Sequence, residues 1–247
     1  MDRLIYIAMN GASHIVQQQA LVAHNLANAQ TTGYRAEQNA FRALPVQGPG
    51  AKTRVFAVDS TTGWNFQPGF MQSTGRDLDV AVNGKGWIAV QGADGKEAYT
   101  RDGNFQLSQN GVLQTRNGLN VMGASGTIAV PPNHSVAIAP DGTVSAIPQE
   151  GVPNNVAVVG RVKLVNPPDA DLHKGLDGLF YSKDGNALAA DTSVQLSSGS
   201  LEGSNVSVVE ALTSMISLSR QFDMQMKMLQ TAENDARQAG QIINMNG

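Results

Sequence analysis

Both ends of this chain carry an apolar heptad repeat, and two amphipathic helices separated by most of the sequence constrain the fold more than any other feature. Near the start, apolar side chains recur at alternating spacings of four and three, interrupted at Gln19. The stripe consists of Met1, Ile5, Ala8, Ala12, Ile15, Val22, Leu26 and Ala29. The helix is predicted to end near Asn28, because Thr31-Thr32-Gly33 supplies turn-forming residues.

The C-terminal end repeats this pattern in a second, longer helix. Its predicted stripe consists of Val208, Leu212, Met215, Ser219, Phe222, Met226, Leu229, Ala236 and Ile243. Ser204 or Asn205 is expected to cap this helix, and Ser207 with Glu210 has the spacing of a capping box. The predicted helix has roughly 35 residues or more, which gives a length of about 50 Å.

The residues between the two helices are predicted to form an antiparallel β domain. Short alternating or apolar runs are separated by Asn-Gly and Asp-Gly pairs, which are typical of tight hairpin turns. These pairs lie at residues 83–84, 94–95, 102–103, 110–111, 117–118, 141–142 and 184–185. The predicted organisation is an N-terminal assembly helix and turn at 1–35, an irregular connector with the first strands at 36–75, a β domain at 76–200 and a C-terminal assembly helix at 201–247.

This organisation predicts an α+β chain in which the terminal helices pair as a coiled-coil stalk below an inserted antiparallel domain. A single amphipathic helix with an uncovered apolar seam is poorly stable in water, so each helix needs a partner. Both stripes are rich in small residues and methionine, which pack closely but bury little area each at about 25 cal/mol per Å². We therefore expect further burial when many copies bring their stalks together, with folding of the ends coupled to assembly.

Composition excludes several classes of function. Charged residues make up 15% of the chain and the net charge is -3, which argues against nucleic acid as a partner. The chain contains 0 cysteines, so disulfides and thiolate metal sites are excluded. The opening Met1-Asp2-Arg3-Leu4-Ile5-Tyr6 does not have the pattern of a signal peptide, and we expect no direct membrane insertion.

The residues offer no convincing catalytic, cofactor or metal site. Asp77 and Asp79 share one side of a strand and are the best candidates for acid–base work or calcium binding, although a turn-adjacent structural role fits them better. His14 and His24 do not face the same way on a helix, and the sulfurs of Met224, Met226 and Met228 are scattered around the helix axis. The prediction is therefore a protein without catalytic residues, cofactor or metal.

Four separated motifs resemble the rod and hook family, the axial proteins of the bacterial flagellum. They are Asn25-Leu26-Ala27-Asn28 with Thr32-Gly33-Tyr34-Arg35, the run from Leu78 to Trp87, the run from Tyr99 to Phe105, and the run from Gly199 to Val206. They occur in the family's order and span the chain. The opening residues and the modest length favour a proximal rod subunit, with a distal rod or hook-type subunit as the alternative.

The resemblance implies a structural subunit whose helices form a tube around an export channel and whose β domains lie outside. It implies partners that are copies of the same chain and other rod proteins, and delivery to the basal body by the flagellar type III export apparatus without a cleaved signal peptide. The residues expected to take part in assembly are Ile5, Ile15, Val22, Asn25, Leu26, Asn28, Gly33, Leu212, Met215, Phe222, Met226 and Leu229. Within this set Asn28 and Gly33 end the first helix, and Asn25 offers its amide to a neighbouring stalk.

Two other classes of function remain as alternatives. An exported enzyme acting on cell-wall glycan would use Asp77 and Asp79. A binding module would use exposed β edges and would not require the helices.

Overall fold

The structure is a computed structural model, and it describes residues 2–45, 55–148 and 156–245. Two long helices lie at the ends of the chain, α1 at Asp2–Ala27 and α2 at Val208–Met245, with antiparallel strands between them. The predicted α+β class, the end of the first helix and the length of the second are confirmed. The chain forms two compact units, one of residues 1–29, 36–65 and 206–247, and the other of residues 30–35 and 66–205.

In the first unit, α1 packs antiparallel to α2. A Cβ atom on Gly11 would lie 3.3 Å from the side chain of Gln225, so the two helices approach closely there. Later in α1, Val22 lines the same cavity of about 340 Å³ as Leu218, which comes earlier in α2. The covered face of α1 contains Ala8, Ala12 and Ile15, as the heptad stripe predicts.

The covered face of α2 differs in part from the predicted stripe. Met215, Phe222 and Leu229 are partly buried as expected, whereas Leu212 and Met226 are 46% and 40% exposed. Further covered positions are one residue earlier, at Ala211, Ser214, Leu218, Gln225 and Ala232. Apolar residues occupy both of two adjacent stripes in this helix, so periodicity alone does not select the face that meets α1.

A β-hairpin completes the first unit. Its strands β1 (Glu37–Pro45) and β2 (Val55–Trp64) pair antiparallel, with a register shift between Ala40 and Phe41. The ring of Phe41 meets that of His14 on α1 edge to face at 5.6 Å. Strand β2 therefore occupies part of the segment for which an irregular connector is predicted, and residues 46–54 lie outside the described residues.

The described residues of the second unit form sixteen short strands and one 3-10 turn at Asp169–Asp171. In chain order the strands are β3 (Met71–Ser73), β4 (Val80–Asn83), β5 (Trp87–Gln91), β6 (Glu97–Thr100), β7 (Phe105–Leu107), β8 (Leu113–Thr115), β9 (Met122–Gly123), β10 (Gly126–Thr127), β11 (His134–Ile138), β12 (Thr143–Pro148), β13 (Ala157–Arg161), β14 (Leu164–Val165), β15 (Leu172–Lys174), β16 (Phe180–Ser182), β17 (Gln195–Ser198) and β18 (Ser200–Glu202).

These strands form one five-stranded sheet, one three-stranded sheet and several pairs. The larger sheets have the orders β14-β5-β6-β16-β15 and β11-β12-β13, and the two-stranded pairs are β18-β3, β17-β4, β7-β8 and β10-β9. The pairings between the described strands are antiparallel, as predicted. Pairs β18-β3 and β17-β4 join the last strands to the first, so they bring the segment before α2 back to the start of the unit.

The core of the second unit is aliphatic, with Val80, Ile88, Val90 and Leu113 fully buried. Most of the predicted hairpin turns carry a glycine with positive φ, as their Asn-Gly and Asp-Gly pairs require. Gly103 is the exception. A Cβ atom there would lie 1.7 Å from the carbonyl oxygen of Val80, so this glycine permits a close backbone approach.

Candidate assembly site

The four motifs that are far apart in the sequence meet in the second unit around the carboxylate of Glu202. Nη2 of Arg35 donates a hydrogen bond of 2.7 Å to Oε1 of Glu202, and Nη1 of Arg101 donates one of 2.9 Å to Oε2. The backbone N–H of Gly69 donates to the same Oε1 at 2.9 Å. Each motif therefore contributes to one buried junction, which we call the Glu202 cluster, consisting of Arg35, Arg101, Glu202 and Trp87.

The Glu202 cluster places three charged groups almost completely out of water. The side chains of Arg35 and Glu202 are 0% exposed, and that of Arg101 is 4% exposed. Burial lowers the pKa of the Arg101 guanidinium below its ordinary value, and the adjacent Glu202 carboxylate opposes this shift. Two guanidinium groups and one carboxylate leave a net charge of +1, so the carboxylate is essential for tolerating both cations.

Trp87 forms the aromatic side of the cluster. The Cζ atoms of Arg101 and Arg35 lie 5.5 and 6.0 Å from its ring centroid, within the range of a cation–π interaction. Its ring also packs on Phe180 with a centroid distance of 4.6 Å and meets Phe66 at 6.0 Å. The aromatic residue that the second motif contributes therefore connects the charges to strand β16.

Gly33 occupies a position at which only glycine fits. Its φ is +68°, and its N–H donates a hydrogen bond of 2.8 Å to the carbonyl oxygen of Glu202. A Cβ atom on Gly33 would lie 2.4 Å from the carbonyl carbon of Arg101. The predicted turn is therefore confirmed, and the same glycine lets the chain after α1 lie directly on the third motif.

Asp102 stabilises the same contact between the first and the third motif. Its Oδ1 accepts hydrogen bonds from Oγ1 of Thr32 at 2.8 Å and from the backbone N–H of Asn104 at 3.1 Å. Burial raises the pKa of the Asp102 carboxyl above its ordinary value, while these two hydrogen bonds oppose that shift. Arg116 also favours the charged form, and Asp79 disfavours it.

The asparagines of the first motif are engaged within the chain. Nδ2 of Asn25 donates to the carbonyl oxygen of Glu37 at 2.9 Å, and Oδ1 of Asn25 accepts from the N–H of Glu37 at 2.9 Å. The side-chain amide of Asn25, which was predicted to bond to a neighbouring stalk, thus binds strand β1 of its own chain. Nδ2 of Asn28 donates to the carbonyl oxygen of His24 at 2.9 Å, so Asn28 ends the helix as predicted.

The other predicted assembly residues lie along the helices of the first unit. Ile15 is buried, whereas Ile5, Val22 and Leu26 are partly buried on α1. On α2 the partly buried residues are Met215, Phe222 and Leu229, and the exposed ones are Leu212 and Met226. Their role between subunits stays a prediction.

The cap of α2 requires a correction. The helix begins at Val208, the carbonyl oxygen of Ser207 accepts the first intrahelical bond from Ala211 at 2.9 Å, and Oγ of Ser207 accepts from the N–H of Glu210 at 3.4 Å. Ser207 therefore holds the N-cap position, rather than Ser204 or Asn205. Ser204 is buried, and Nδ2 of Asn205 donates to the carbonyl oxygen of Gln67 at 2.9 Å, so both belong to the β unit.

The two carboxylates of the alternative enzymatic hypothesis, Asp77 and Asp79, lie in different environments. Asp79 is buried and pairs with Arg76 at 3.4 Å, whereas Asp77 is exposed. Asp79 also forms a β-bridge with Asn104, which gives it a structural position between two motifs.

Among the described residues, neither helix combines the length and apolar character that a membrane span requires.

Comparison with known proteins gives matches along most of the chain. Three family models match: the flagella basal body rod protein at residues 5–35, the flagellar hook protein FlgE/F/G D1 domain at 81–146, and the flagellar basal body rod FlgEFG protein C-terminal region at 197–242. The flagellar basal-body rod protein FlgF of Salmonella typhimurium is 46% identical over 99% of this chain and 100% of its own length.

The chain belongs to the flagellar basal-body rod protein family. FlgF of Escherichia coli is 45% identical over 99% of this chain and 100% of the relative. FlgG of Bacillus subtilis is 29% identical over 94% of this chain and 96% of the relative. Members of this family are structural components of the flagellar rod and not enzymes.

The three matched regions of this rod protein meet in the Glu202 cluster. Arg35 lies in the N-terminal region, Trp87 and Arg101 lie in the D1 region, and Glu202 lies in the C-terminal region. Sequence reasoning identified the motifs but missed the cluster. The available signal was a single charged residue in each of two otherwise uncharged runs, Thr32 to Arg35 and Gly199 to Val206.

Proposed function

We propose that this rod protein is a subunit of the proximal rod of the bacterial flagellum. The observation that supports this assignment most strongly is its identity of 46% and 45% over full length to two relatives named FlgF, against 29% to a relative named FlgG. The subunit acts mechanically. It forms part of a helical tube that surrounds the export channel and transmits torque.

In this proposal, polymerisation takes place through the terminal helices. The covered faces of α1 and α2 follow the three-four spacing of a coiled coil, which supports coiled-coil packing of the pair as a stalk. The partners are further copies of the chain and other rod proteins. A head-to-tail contact that does not close on itself generates a helical polymer, so each subunit presents different surfaces to the neighbours above and below.

The proposed location is the basal-body rod where it crosses the periplasm. The subunit reaches that location through the flagellar type III export apparatus and without a cleaved signal peptide. Both points rest on membership of the rod family. Mass spectrometry of the chain recovered from basal bodies would find a peptide that begins at residue 1 or 2. A peptide that begins only further along the chain would contradict export without cleavage.

Genetic complementation tests the function. The gene for this chain should restore motility to a strain that lacks its proximal rod protein, and it should not restore motility to a strain that lacks the distal rod protein. Restoration of only the distal-rod strain would replace the proximal assignment. Expression of the chain without restored motility in either strain would contradict a rod function.

A matched pair of variants tests the role of the helices. Ile15→Glu places a charge on the covered face of α1, whereas Gln17→Glu places the same charge on its exposed face. The first change should remove the tagged chain from isolated basal bodies, because it separates α1 from α2. The second serves as the control for export and expression. Normal incorporation of Ile15→Glu would show that the helix pair is dispensable.

A further inference from the structure

A cavity of about 480 Å³ lies in the second unit, at one end of the five-stranded sheet. It is bordered by the turn before β6, by β15 and β16 and by the loop that follows β16. Its volume falls within the range of about 300–1,000 Å³ that is typical of small-molecule sites. The lining includes Asp94, Lys96, Glu97, His173, Tyr181 and Asn186. None of these belongs to the Glu202 cluster or to the terminal helices, so the cavity is separate from the candidate assembly site.

The ring of Tyr181 is fixed in this lining. Its hydroxyl donates a hydrogen bond of 2.5 Å to Oδ2 of Asp177. A Cβ atom on Gly92 would lie 2.8 Å from Oη of Tyr181, and one on Gly175 would lie 2.8 Å from its Cε2, so glycine at both positions lets the backbone approach the ring closely. Burial, together with Asp177, raises the pKa of Tyr181 above its ordinary value. The cavity therefore has a rigid aromatic side whose hydroxyl stays protonated.

Glu97 contributes a buried acceptor to the cavity. Its side chain is 10% exposed, and Oε2 accepts a hydrogen bond of 2.8 Å from Nζ of Lys163. Oε1 is buried and has no hydrogen-bond partner among the described residues. The Tyr99 hydroxyl, which interacts electrostatically with Glu97, accepts a bond of 2.8 Å from the N–H of Leu188. A buried acceptor that is left unpaired costs free energy, and such groups are normally bonded to water or to a ligand.

The charged groups of the lining occur in opposite pairs. Glu97 is paired with Lys163, and Asp94 is followed by Lys96, whose backbone N–H donates a hydrogen bond of 3.0 Å to Oδ1 of Asp94. Among the described residues, no group of three or more His, Cys, Asp or Glu side chains could hold a metal ion. The lining therefore has no excess charge that would select an ion. Its mixture of donors and acceptors suits a neutral molecule with several hydrogen-bonding groups.

We propose that this cavity binds a neutral saccharide of one or two sugar rings. The hydroxyl groups of such a molecule supply the donor that Oε1 of Glu97 lacks, and they bond to the carboxylate of Asp94 and the side-chain amide of Asn186. The C–H groups on one face of a sugar ring pack on the aromatic rings of Tyr181 and His173, whose centroids are 5.9 Å apart with planes inclined by 31°. Sugar binding goes beyond the proposed rod function and does not depend on it.

Saturation-transfer NMR titrations of the purified full-length chain test the proposal. The neutral probes are glucose, N-acetylglucosamine and maltose, and one or more of them should bind with a dissociation constant in the millimolar range or below. The charged probes are glucuronate, an anion, and spermidine, a polycation. Both should bind about tenfold or more weakly than the best neutral sugar, because the lining has no excess charge to attract either of them.

A matched pair of variants locates the site. Ala187→Trp fills the cavity, whereas Ala189→Trp places the same side chain on an exposed residue of the same loop that does not line it. Both variants should melt like the parent chain, because both alanines are exposed. Ala187→Trp should weaken sugar binding by about tenfold or more, and Ala189→Trp should bind as the parent does. Glu97→Gln should also weaken binding by about tenfold, because hydrogen bonds to a charged acceptor are stronger than those to a neutral one.

Three results would overturn the proposal. The first is that none of the neutral sugars binds, which would mean that the cavity holds only water. The second is that glucuronate or spermidine binds more tightly than the neutral sugars, which would assign the cavity to an ion. The third is that Ala187→Trp binds sugar as well as Ala189→Trp does. If Glu97→Gln fails to fold because Lys163 loses its partner, the comparison of the two tryptophan variants still decides the question.

Discussion

The substitution Glu202→Gln tests the energetic role of the Glu202 cluster. It keeps the size and a hydrogen-bond acceptor but removes the carboxylate that contacts both Arg35 and Arg101. The net charge of the three groups rises from +1 to +2, with both guanidiniums out of water. Removing one partner of a buried ion pair costs about 3–5 kcal/mol, because the remaining charge is left uncompensated.

The expected loss is large relative to the stability of a domain. At about 2–4 °C per kcal/mol for a chain of this length, the melting temperature of the β unit should fall by about 6–20 °C. The matched control is Glu233→Gln on α2, where the pair with Arg237 has side chains 60–71% exposed. An exposed pair of this spacing contributes only about 0.3–0.5 kcal/mol, so this variant should melt within about 2 °C of the parent.

Fluorescence of Trp87 is the appropriate assay, since its ring lies 5.5 Å from Arg101. Both variants are made in a Trp64→Phe background, so that the signal reports on the β unit. A second change, Arg35→Met, should partly rescue Glu202→Gln by returning the net charge to +1, with a coupling energy of about 1–3 kcal/mol. A loss below about 1 kcal/mol for Glu202→Gln, or costs that simply add in the double variant, would refute the electrostatic argument.

Three further predictions concern neighbouring residues. Gly33→Ala should destabilise the β unit by more than about 3 kcal/mol in chemical denaturation, because it adds a backbone clash to the strain of a left-handed conformation. The control is Gly118→Ala, at a φ of +82° and with nothing within 4 Å of the added Cβ, which should cost only about 1 kcal/mol. Equal losses would contradict the steric argument. Asn25→Ala should cost about 1–3 kcal/mol and speed hydrogen exchange at the Glu37 amide, because it removes both bonds to that residue; unchanged exchange would contradict the clamp. Asp102→Asn should flatten the pH dependence of stability. Because the pKa of Asp102 is raised on folding, its contribution is fully present below its ordinary pKa of 3.8 and is lost as pH rises through the folded-state pKa. A melting profile over pH 4–7 that keeps its slope would contradict this.

The terminal helices were predictable because their periodicity is local. The end of α1 followed from Asn28 and Gly33, and most hairpin turns followed from their Asn-Gly and Asp-Gly pairs, since each signal fixes the backbone within a few residues. The face of α2 was predicted only in part. Leu212 and Ala211 are both apolar, so the choice between adjacent stripes depends on the shape of α1 opposite them.

Other features depend on contacts that no local pattern contains. The cap of α2 could be any of three suitable residues, Ser204, Asn205 or Ser207. The choice depends on where the chain leaves the β unit, because the N–H of Asn205 is still bonded there to the carbonyl oxygen of Tyr34. The three charged residues of the Glu202 cluster are separated from one another by 66 to 167 positions. The charges of Arg35 and Arg101 are visible in the sequence, but the fact that they share one carboxylate is not.

The position of the Glu202 cluster explains why buried charges are suited to this site. The chain passes between its two compact units after residues 29, 35, 65 and 205, and residues next to these points are bonded to one another within the β unit. An apolar core of similar volume would stabilise the unit as well or better. It would not, however, require Arg35 and the N–H of Gly69 to approach one carboxylate oxygen in a single geometry. We infer that the directional bonds to Glu202 constrain the relative positions of the segments that lead out of the unit more narrowly than apolar packing would.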